Sequence, residues 1–496
     1  MPPEAASPQQ AILQFLTSLQ SPARILVAIS GGSDSTGLLL LLDEAVKAAP
    51  HLQISLCAAT VDHALRADSA DEAREVAALC ASLGIAHTIA IWQGDKPKTG
   101  IMAAAREARY GLLAEAAEAF GADLIVTGHT FDDQRETLAM REMRTEQVSS
   151  GIADAVLFGR RFWVLRPLLF CTRADIRAFL RERGAGWIDD PSNEDMKYER
   201  VRTRRQLSAD TSAEKDIRAA WAARLDLSSA GAEWLDRSFR LHGGLLGQVT
   251  PDGLRQDPAV LDYALGRLTA VFGGQPFVPG RARMERLLFF AAGGAPGRMT
   301  VGRVVFDLRR DGLYLTRESR GIAPLMLQPG EAGVWDGRFR VHNGLNTSIV
   351  VEAAAPRASS FPSGLTRGMS QESRAPKSLG AKDTSRLVES ITAQTRGGWI
   401  LVTSLGLNPR KGMREVMYHL PRSAWNRAIA SAPALSAEGA PLSPESAGAI
   451  DLAPYFAPFD RFLTRFDFIF ANRLSAVFAT APYARRPLRS IDGKTI

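Results

Sequence analysis

The chain has 496 residues, of which 46% are apolar and 23% are charged. This composition is typical of a folded globular protein of about two to four domains, and it excludes a disordered chain or a membrane protein. Sixty lysines and arginines against fifty-three acidic residues give a net charge of +7, and the resulting pI near 9.5 favours a polyanionic partner.

The cysteines and the N-terminal stretch indicate the cellular compartment in which the protein is expected. Cys57, Cys80 and Cys171 are widely spaced and odd in number, so neither a disulfide framework nor a CxxC pair is available. The opening stretch MPPEAASPQQAILQFL lacks a basic region followed by a long apolar one, and the leucine run Leu38–Leu42 is too short to span a bilayer. We expect a cytoplasmic protein with no membrane segment.

Short apolar runs alternate with longer amphipathic segments from Arg24 to about Arg205. Four runs rich in branched residues predict buried strands: RILVAIS, QISLCAATVD, AHTIAIW and DLIVTGH. Three segments between them have helical spacing: STGLLLLLDEAVKAA, SADEAREVAALCASLG and MAAAREARYGLLAEAAEAFG, the last two closed by glycine. This alternation predicts an α/β fold, a doubly wound parallel sheet with helices on both faces and ligands at the carboxyl ends of its strands.

The rest of the chain predicts three further parts after a catalytic domain at 1–212. Residues 213–352 read as a helical middle domain that ends in a hairpin, with Asp311-Gly312 as the turn. Residues 353–395 are rich in Ser, Pro and Ala and predict a linker or loop. Residues 396–496 predict a small α+β C-terminal domain.

The stretch SGGSDS follows the first predicted strand and opens a helix. Adjacent glycines let the backbone approach a ligand, and the amides at a helix N-terminus attract an anion such as phosphate. The Walker A pattern is absent, since no lysine follows the glycines. We predict that the hydroxyls bind phosphate oxygens and that Asp34 holds Mg²⁺. The predicted ATP-binding residues of this stretch are Ser30, Gly31, Gly32, Ser33, Asp34 and Ser35.

SGGxDS is the signature of the PP-loop, or N-type, ATP pyrophosphatases, which the chain resembles. Members adenylate a carbonyl oxygen with ATP, release pyrophosphate and let a nucleophile displace AMP. The motif alone leaves GMP synthetase, asparagine synthetase and tRNA thiolation enzymes open. Four further motifs resemble the tRNA(Ile)-lysidine synthetases in order and spacing: VDHALR at 61–66, GHTFDDQRET at 128–137, RPLL at 166–169, and DDPSNED at 189–195 followed by ERVRTRR.

The resemblance is strong over residues 20–210 and loose elsewhere. It implies an adenine nucleotide α hydrolase-like catalytic domain, with tRNA-binding middle and C-terminal domains. It also implies a ligase that attaches lysine to C2 of the wobble cytidine in the CAU anticodon of isoleucine tRNA, converting ATP to AMP and pyrophosphate. A homodimer would be unsurprising, although no residue argues for one.

Several polar residues at predicted strand ends and on one helix extend the ATP site. Asp62 and His63 end the second strand near the nucleotide, and His129 after the fourth strand would orient the nucleotide or shuttle a proton. Arg106 and Arg109 lie three apart on a helix. The resemblance implies that an arginine here stabilises the adenylate phosphates, and we prefer Arg109.

The helix DDQRET carries three carboxylates, Asp132, Asp133 and Glu136, with Glu136 on the same face as Asp132 and near Asp133. They would bind the cationic amine of lysine or Mg²⁺, and which carboxylate takes which ligand stays open. The predicted catalytic residues are Asp34, Arg109, Asp133 and Glu136.

The segment MKYERVRTRRQL is strongly basic, which predicts a salt-sensitive contact with tRNA because neutralised phosphates release counterions. The predicted tRNA-binding residues are Arg66, Arg106, Lys197, Arg200, Arg202, Arg204 and Arg205. The tail YARRPLR is a weaker candidate for RNA contact, with Tyr483 beside Arg485, Arg486 and Arg489.

Three alternative functions are less well supported, and the sequence departs from the family pattern at one stretch. A tRNA thiolase needs suitably placed thiols, and a glutamine-fed amidotransferase needs a further domain with a nucleophilic cysteine. A non-catalytic RNA-binding protein would have lost Asp34 or the DDQRET acids, which are present. Lysidine synthetases usually carry a Gly-rich basic stretch after that helix, but here MRTEQVSSGIAD has Gly151 alone, which puts the entry of tRNA in doubt.

Overall fold

The structure, a computed structural model, describes residues 7–64, 69–97, 99–142, 150–189, 213–354, 420–437, 439–442 and 444–489. Contacts group the chain into two compact units. The first contains Met1–Ser228, Asp460–Ile469 and Tyr483–Ile496, and the second contains Ser229–Phe459 and Phe470–Pro482. The first unit is therefore completed by segments from the end of the chain.

A seven-stranded sheet forms the centre of the first unit. Its strands are β1 (Ala23–Ala28), β2 (Ile54–Asp62), β3 (Ala86–Ile91), β4 (Leu124–Thr127), β5 (Ala155–Phe158), β6 (Phe162–Leu165) and a C-terminal edge strand, Phe462–Thr464. The order is edge strand, β5, β6, β4, β1, β2, β3. The four predicted strands correspond to β1 to β4, which pair in parallel, so this part of the prediction is confirmed.

Helices cover both faces of this sheet: α1 (Pro8–Ser18), α2 (Ser33–Ala48), α3 (Ser69–Ser82), α4 (Ile101–Phe120), α5 (Phe131–Glu142) and α6 (Arg173–Glu182). Leu26 of β1 and Ile125 of β4 pack against Leu113 of α4. Ile25 and Val27, which alternate with Leu26 and face the other way, are equally buried. Burial on both faces is typical of a doubly wound sheet, so the predicted architecture is confirmed.

The predicted glycine stops are also present. α4 ends at Phe120 and is followed by Gly121, with φ of +62°. α3 ends at Ser82, and Gly84 beyond it has φ of +72°. Both glycines take the left-handed conformation that closes a helix with little strain.

The sequence predicted a parallel sheet, but the observed sheet also contains antiparallel strands. β5 runs antiparallel to β6, and the C-terminal edge strand runs antiparallel to β5. β5 and β6 are joined by only three residues, 159–161, which is enough for a hairpin but too short for a parallel crossover.

A five-stranded antiparallel sheet lies in the second unit, in the order β7-β8-β11-β10-β9. Its strands are β7 (Phe239–His242), β8 (Leu246–Val249), β9 (Gly297–Val301), β10 (Val304–Arg309) and β11 (Gly312–Arg317). Two helices, Pro258–Gly273 and Arg281–Ala292, separate β8 from β9. The predicted hairpin is confirmed as β10 and β11, although its turn is Arg310-Asp311 and Gly312 already begins β11.

Two smaller sheets complete this unit. One has the order β12-β15-β16-β17 and the other β13-β14-β18. Their strands are β12 (Leu325–Leu327), β13 (Ala332–Trp335), β14 (Phe339–Asn343), β15 (Ile349–Ala353), β16 (Pro433–Ala437), β17 (Ala440–Pro441) and β18 (Ile450–Pro454). Strands that follow residue 420 thus extend sheets that begin before residue 354. Among the described residues, the other α-helices are Ala213–Ser238, Arg422–Ala430, Pro444–Ala447 and Phe468–Val477.

The middle segment is less helical than predicted. The long helix Ala213–Ser238 ends where β7 begins, and Gly243 and Gly244, both with positive φ, turn the chain into β8. Strands of four residues carry too little periodicity to be separated from a preceding helix by pattern alone.

The predicted domain boundaries after residues 212, 352 and 395 fall within or beside parts of the chain outside the described ranges. They stay predictions, as does the linker at 353–395. Across the ranges that are described, none of the helices has both the length and the apolar character that crossing a membrane requires.

Candidate active site

The candidate site lies where the strand order of the first sheet reverses. β1 pairs with β2 on one side and with β4 on the other. The connections that leave the carboxyl ends of β1 and β4 therefore diverge, and the crevice between them is the usual ligand position in an open α/β sheet. SGGSDS follows β1 and GHTFDDQRET follows β4, so both motifs border this crevice.

Gly128 allows the two motifs to touch. A Cβ at this position would lie 2.7 Å from the carbonyl oxygen of Asp34 and 3.0 Å from Cα of Ser35. Any larger residue would therefore push the end of β4 away from the first turn of α2. The glycine of GHTFDDQRET is required by this close backbone approach.

The SGGSDS loop is held by its own hydrogen bonds. Ser35 Oγ accepts from the backbone N–H of Ser30 (3.1 Å) and donates to the carbonyl of Gly32 (3.1 Å). Gly31 has φ of +83°, which favours glycine at this position. Gly32 is the N-cap of α2 and provides no side-chain cap. The first amides of α2 thus lack the cap that would satisfy them, an arrangement suited to an anion.

Asp34, in the first turn of α2, is bound by an arginine that sequence analysis did not single out. Arg173 Nε donates to Asp34 Oδ2 (2.8 Å), and Ser33 Oγ donates to Asp34 Oδ1 (3.1 Å). Burial raises the pKa of Asp34 above its ordinary value, and the nearby guanidinium of Arg173 opposes this rise. The charged form of Asp34 therefore depends on Arg173.

The same guanidinium faces the acids of α5. Arg173 Nη2 lies 3.5 Å from Asp133 Oδ1, and Nη1 lies 3.8 Å from Glu136 Oε1. The Glu136 side chain is 1% exposed and that of Arg173 is 17% exposed. The structure thus brings acids from two separate motifs around one cation.

The three acids of DDQRET do not have equivalent surroundings. Asp132 Oδ2 accepts from the backbone N–H of Arg173 (2.7 Å) and so ties α5 to the start of α6. Asp133 Oδ2 accepts from the backbone N–H of Thr130 (2.8 Å), which caps α5, whereas Oδ1 faces Arg173. Asp133 and Glu136 therefore point toward the cluster around Arg173, while the observed contact of Asp132 is with backbone. Their roles in binding lysine stay predictions.

A second group of predicted residues lies at the end of β2. Asp62 Oδ1 accepts from the backbone N–H of Ala64 (2.8 Å). Arg109 Nη2 lies 3.4 Å from His63 Nε2, and the His63 ring packs edge-on against Trp92. Burial, and then the positive charge of Arg109, lower the pKa of His63. His63 is therefore favoured in its neutral form, with Arg109 held beside it.

Arg106, one turn before Tyr110 on α4, has a different environment from Arg109. Its Nη2 lies 3.4 Å from the Tyr110 hydroxyl, which also accepts from Arg166 Nη2 (3.1 Å). Arg166 belongs to the RPLL motif and is buried, and its Nη1 donates to the Ala153 carbonyl (2.6 Å). Arg166 thus links β6 to α4 as a structural residue. These contacts place Arg109, rather than Arg106, beside the predicted nucleotide residues.

His129 directly follows Gly128. Its Nδ1 lies 2.9 Å from the hydroxyl of Thr127, the last residue of β4. This contact orients the ring at the strand end where the sequence placed it.

Much of the predicted tRNA contact lies outside the described residues, namely Arg66, Lys197, Arg200, Arg202, Arg204 and Arg205. The C-terminal tail is described as far as Arg489. Within this tail Tyr483 is not available to RNA, because its ring is buried, its hydroxyl donates to Asp460 (2.6 Å) and Arg160 covers the ring. RNA contact by Arg485, Arg486 and Arg489 stays a prediction. Tyr483 fastens the tail to the first unit.

Two arginines of α6 went unnoticed in the sequence. Arg173 binds the acid cluster, and Arg177, one turn later, donates from Nε to Ser33 Oγ (3.2 Å). Both follow the RPLL motif closely and precede DDPSNED. An arginine pair at i, i+4 on a helix between two site motifs was the signal that could have revealed them.

Comparison with known proteins identifies the family. A family model described as a PP-loop domain matches residues 5–211. The tRNA(Ile)-lysidine synthase of Rhizobium meliloti is 48% identical over 347 residues, which cover 66% of this chain and 75% of that protein. This chain belongs to the tRNA(Ile)-lysidine synthase family. It is accordingly a ligase with an ATP-binding PP-loop domain.

Further members of the tRNA(Ile)-lysidine synthase family align with this chain over a similar length. The protein of Mesorhizobium japonicum is 40% identical over 359 residues, covering 68% of this chain and 78% of that protein. The protein of Brucella melitensis is 38% identical over 334 residues, covering 64% and 74%.

Solved structures show more distant similarity. The U34-tRNA thiolase NcsA from Methanococcus maripaludis, solved with its 4Fe-4S cluster, has 17% identity and a TM-score of 0.35, covering 40% of this chain and 70% of that one. NAD+ synthetase from Burkholderia pseudomallei has 16% identity and a TM-score of 0.27, covering 45% of this chain and 90% of that one.

Proposed function

We propose that this protein ligates lysine to C2 of the wobble cytidine in the CAU anticodon of isoleucine tRNA, with ATP converted to AMP and pyrophosphate. The observation that carries the proposal is the cluster around Arg173. Asp34 of the phosphate-binding loop and Asp133 and Glu136 of DDQRET all lie within 3.8 Å of one guanidinium. This arrangement supports a proposed phosphate subsite that adjoins a proposed subsite for the cationic amine.

The first step would activate the base. The C2 oxygen of cytidine attacks the α-phosphorus of ATP, a C2–O–P bond forms, and the bond to pyrophosphate breaks. Negative charge moves onto the leaving pyrophosphate, where the uncapped amides of α2 would stabilise it. Arg109, held beside His63, is the proposed cation for the adenylate phosphate.

The second step would transfer lysine. The neutral amine attacks C2, the C2–O bond breaks and AMP leaves with that oxygen. The amine must lose its protons, and the carboxylates of Asp133 and Glu136 are the groups proposed to bind the ammonium and accept a proton. Asp132 is proposed for the same subsite, where it would position Arg173 by accepting the backbone N–H of that residue.

Mg²⁺ is the proposed cofactor, with Asp34 as its protein ligand. Among the described residues no group of three His, Cys, Asp or Glu side chains is arranged to hold a metal. Mg²⁺ commonly binds through one or two carboxylates together with substrate phosphates, so the single carboxylate of Asp34 fits a metal that arrives with ATP. When bound, the metal would neutralise phosphate charge.

The tRNA would bind through basic residues of the first 212 positions. Arg66, Arg106 and the basic segment from Lys197 to Arg205 are the proposed contacts, and the net charge of +7 supports a polyanionic partner. A protein that uses ATP, free lysine and tRNA is expected in the cytoplasm.

The cysteines argue against the thiolase alternative. Cys57, Cys80 and Cys171 are all buried, and none of them forms a disulfide. Burial raises the pKa of Cys57 and of Cys80 to about 11, so neither thiol ionises near neutral pH. Sulfur transfer needs an accessible thiolate, which these three positions do not offer.

The proposal is tested by incubating the protein with ATP, Mg²⁺, labelled lysine and an unmodified CAU-anticodon isoleucine tRNA transcript. Label should enter this tRNA together with AMP and pyrophosphate, and methionine tRNA with the same anticodon should stay unlabelled. Pyrophosphate release without lysine transfer would keep the ATP site but refute lysine as the nucleophile.

A further inference from the structure

The contacts of Arg173 differ in length on the two sides of its guanidinium. Nε donates to Asp34 at 2.8 Å, a normal charge-assisted hydrogen bond. The Nη groups lie 3.5 Å from Asp133 and 3.8 Å from Glu136, beyond the usual hydrogen-bond range. The nucleotide side of the arginine is therefore held tightly and the amine side loosely.

The backbone of Arg173 is fixed by its neighbours. Thr172 caps α6 in a reciprocal capping box with Asp175, and Asp132 accepts the N–H of Arg173. α6 also packs closely on α2, where Ile176 fills the space above Gly37. The backbone of Arg173 is therefore fixed in place, and this orients its side chain toward the carboxylates of the cluster.

We propose that Arg173 is a resident cation of the amine subsite. The ammonium of the incoming lysine takes over the contacts of the Nη groups with Asp133 and Glu136, while Nε keeps its contact with Asp34. Arg173 then acts as a positioning residue: it orients the two carboxylates before lysine binds, and the lysine ammonium displaces its Nη groups. This inference rests on the proposed function.

The physical basis is the burial of Glu136 and Asp133. A buried carboxylate is costly when no positive group compensates its charge, and Arg173 is the cation that faces both acids. Only a ligand that is itself a cation replaces such a partner without leaving charge uncompensated. The exchange consequently selects a basic amine over a neutral amino acid of similar length, such as glutamine or norleucine.

A binding experiment without ATP or tRNA tests this competition. Calorimetry would measure the Kd of L-lysine for the wild type, Arg173→Met, Arg173→Lys and the control Arg181→Ala, an exposed arginine of the same helix. Removing the competing guanidinium should lower the Kd about tenfold in Arg173→Met, the effect of one charge-assisted contact. Arg173→Lys keeps a positive charge but lacks the two Nη groups of the guanidinium, so it should also bind lysine more tightly. The control Arg181→Ala should have the same Kd as the wild type.

Steady-state kinetics give a readout that a purely structural role would not produce. Arg173→Lys should lower KM for lysine while retaining a measurable kcat, because its ammonium still neutralises Asp34. Methylguanidinium replaces the head group that Arg173→Met lacks. Its addition to this variant should restore adenylation and compete with lysine for the acids. Should Arg173→Met fail to fold, Arg173→Lys alone decides the question.

The possible failures are distinguishable. If the wild type ligates lysine but neither Arg173 variant binds it more tightly, the inference about Arg173 is overturned and the proposed function stands. If the wild type neither binds nor ligates lysine, the proposed function itself is refuted.

Discussion

Replacing Gly128 by alanine tests whether the close contact between β4 and α2 sets the geometry of the site. The new Cβ would lie 2.7 Å from the Asp34 carbonyl oxygen and 2.8 Å from its carbonyl carbon, both backbone atoms that cannot rotate away. Ordinary contact begins at 3.4 Å, so a gap of about 0.7 Å must open between the two motifs. Misplacement of this size in a catalytic site lowers the rate by up to about a hundredfold, and overpacking costs about 1–3 kcal/mol of stability.

The assay is tRNA-dependent pyrophosphate release, with thermal unfolding measured on the same samples. Gly111→Ala is the matched control, because this helical glycine of α4 has nothing within 4 Å of an added Cβ. It should keep wild-type kcat/KM and gain about 0.5–1 kcal/mol from the better helix propensity of alanine. A Gly128→Ala protein with wild-type kcat/KM and melting temperature would refute the argument from close approach.

Three further changes have defined outcomes. Asp34→Ala should reduce AMP formation by about a hundredfold or more while filter binding of tRNA is retained, and normal turnover would exclude its role at the phosphates. Asp336→Asn should lower the free energy of unfolding in urea by about 3–5 kcal/mol, because the buried Arg338 loses its charged partner (2.7 Å), whereas a loss below about 1 kcal/mol would contradict this. Burial lowers the pKa of His87 below 6.5, so the unfolded chain binds the proton more readily and stability is lost as pH falls below about 6.5. His87→Asn should flatten the melting temperature between about pH 5 and 7, and an unchanged slope would contradict the assignment.

The sequence predicted the elements whose signals are local. RILVAIS and the leucine run after SGGSDS predicted β1 and α2 because their periodicity is complete within a short stretch. The SGGSDS and DDQRET motifs were placed correctly at strand ends because parallel strands bring their carboxyl ends to one edge. Gly121 ended α4 as expected because a left-handed residue closes a helix.

Features that depend on contacts distant in sequence were missed. The C-terminal edge strand consists of three residues that pair with β5 about 300 positions earlier, and nothing in Phe462–Thr464 specifies that partner. The position of Arg173 depends on the packing of α6 against α2 and on the hydrogen bond from its backbone N–H to Asp132, so its contact with Asp34 could not be inferred from its own helix. Tyr483 was misassigned because an aromatic residue among arginines has the same pattern whether it stacks on a base or, as here, under Arg160.

The central claim is that the C2 oxygen of the wobble cytidine is adenylated before lysine replaces it. The most direct measurement uses an isoleucine tRNA that carries ¹⁸O at C2 of that cytidine, with mass spectrometry of the AMP released in the presence of lysine. The account predicts one ¹⁸O atom in each AMP, because the C2–O bond breaks when the amine attacks. AMP without ¹⁸O, formed alongside lysine-bearing tRNA, would contradict adenylation of the base.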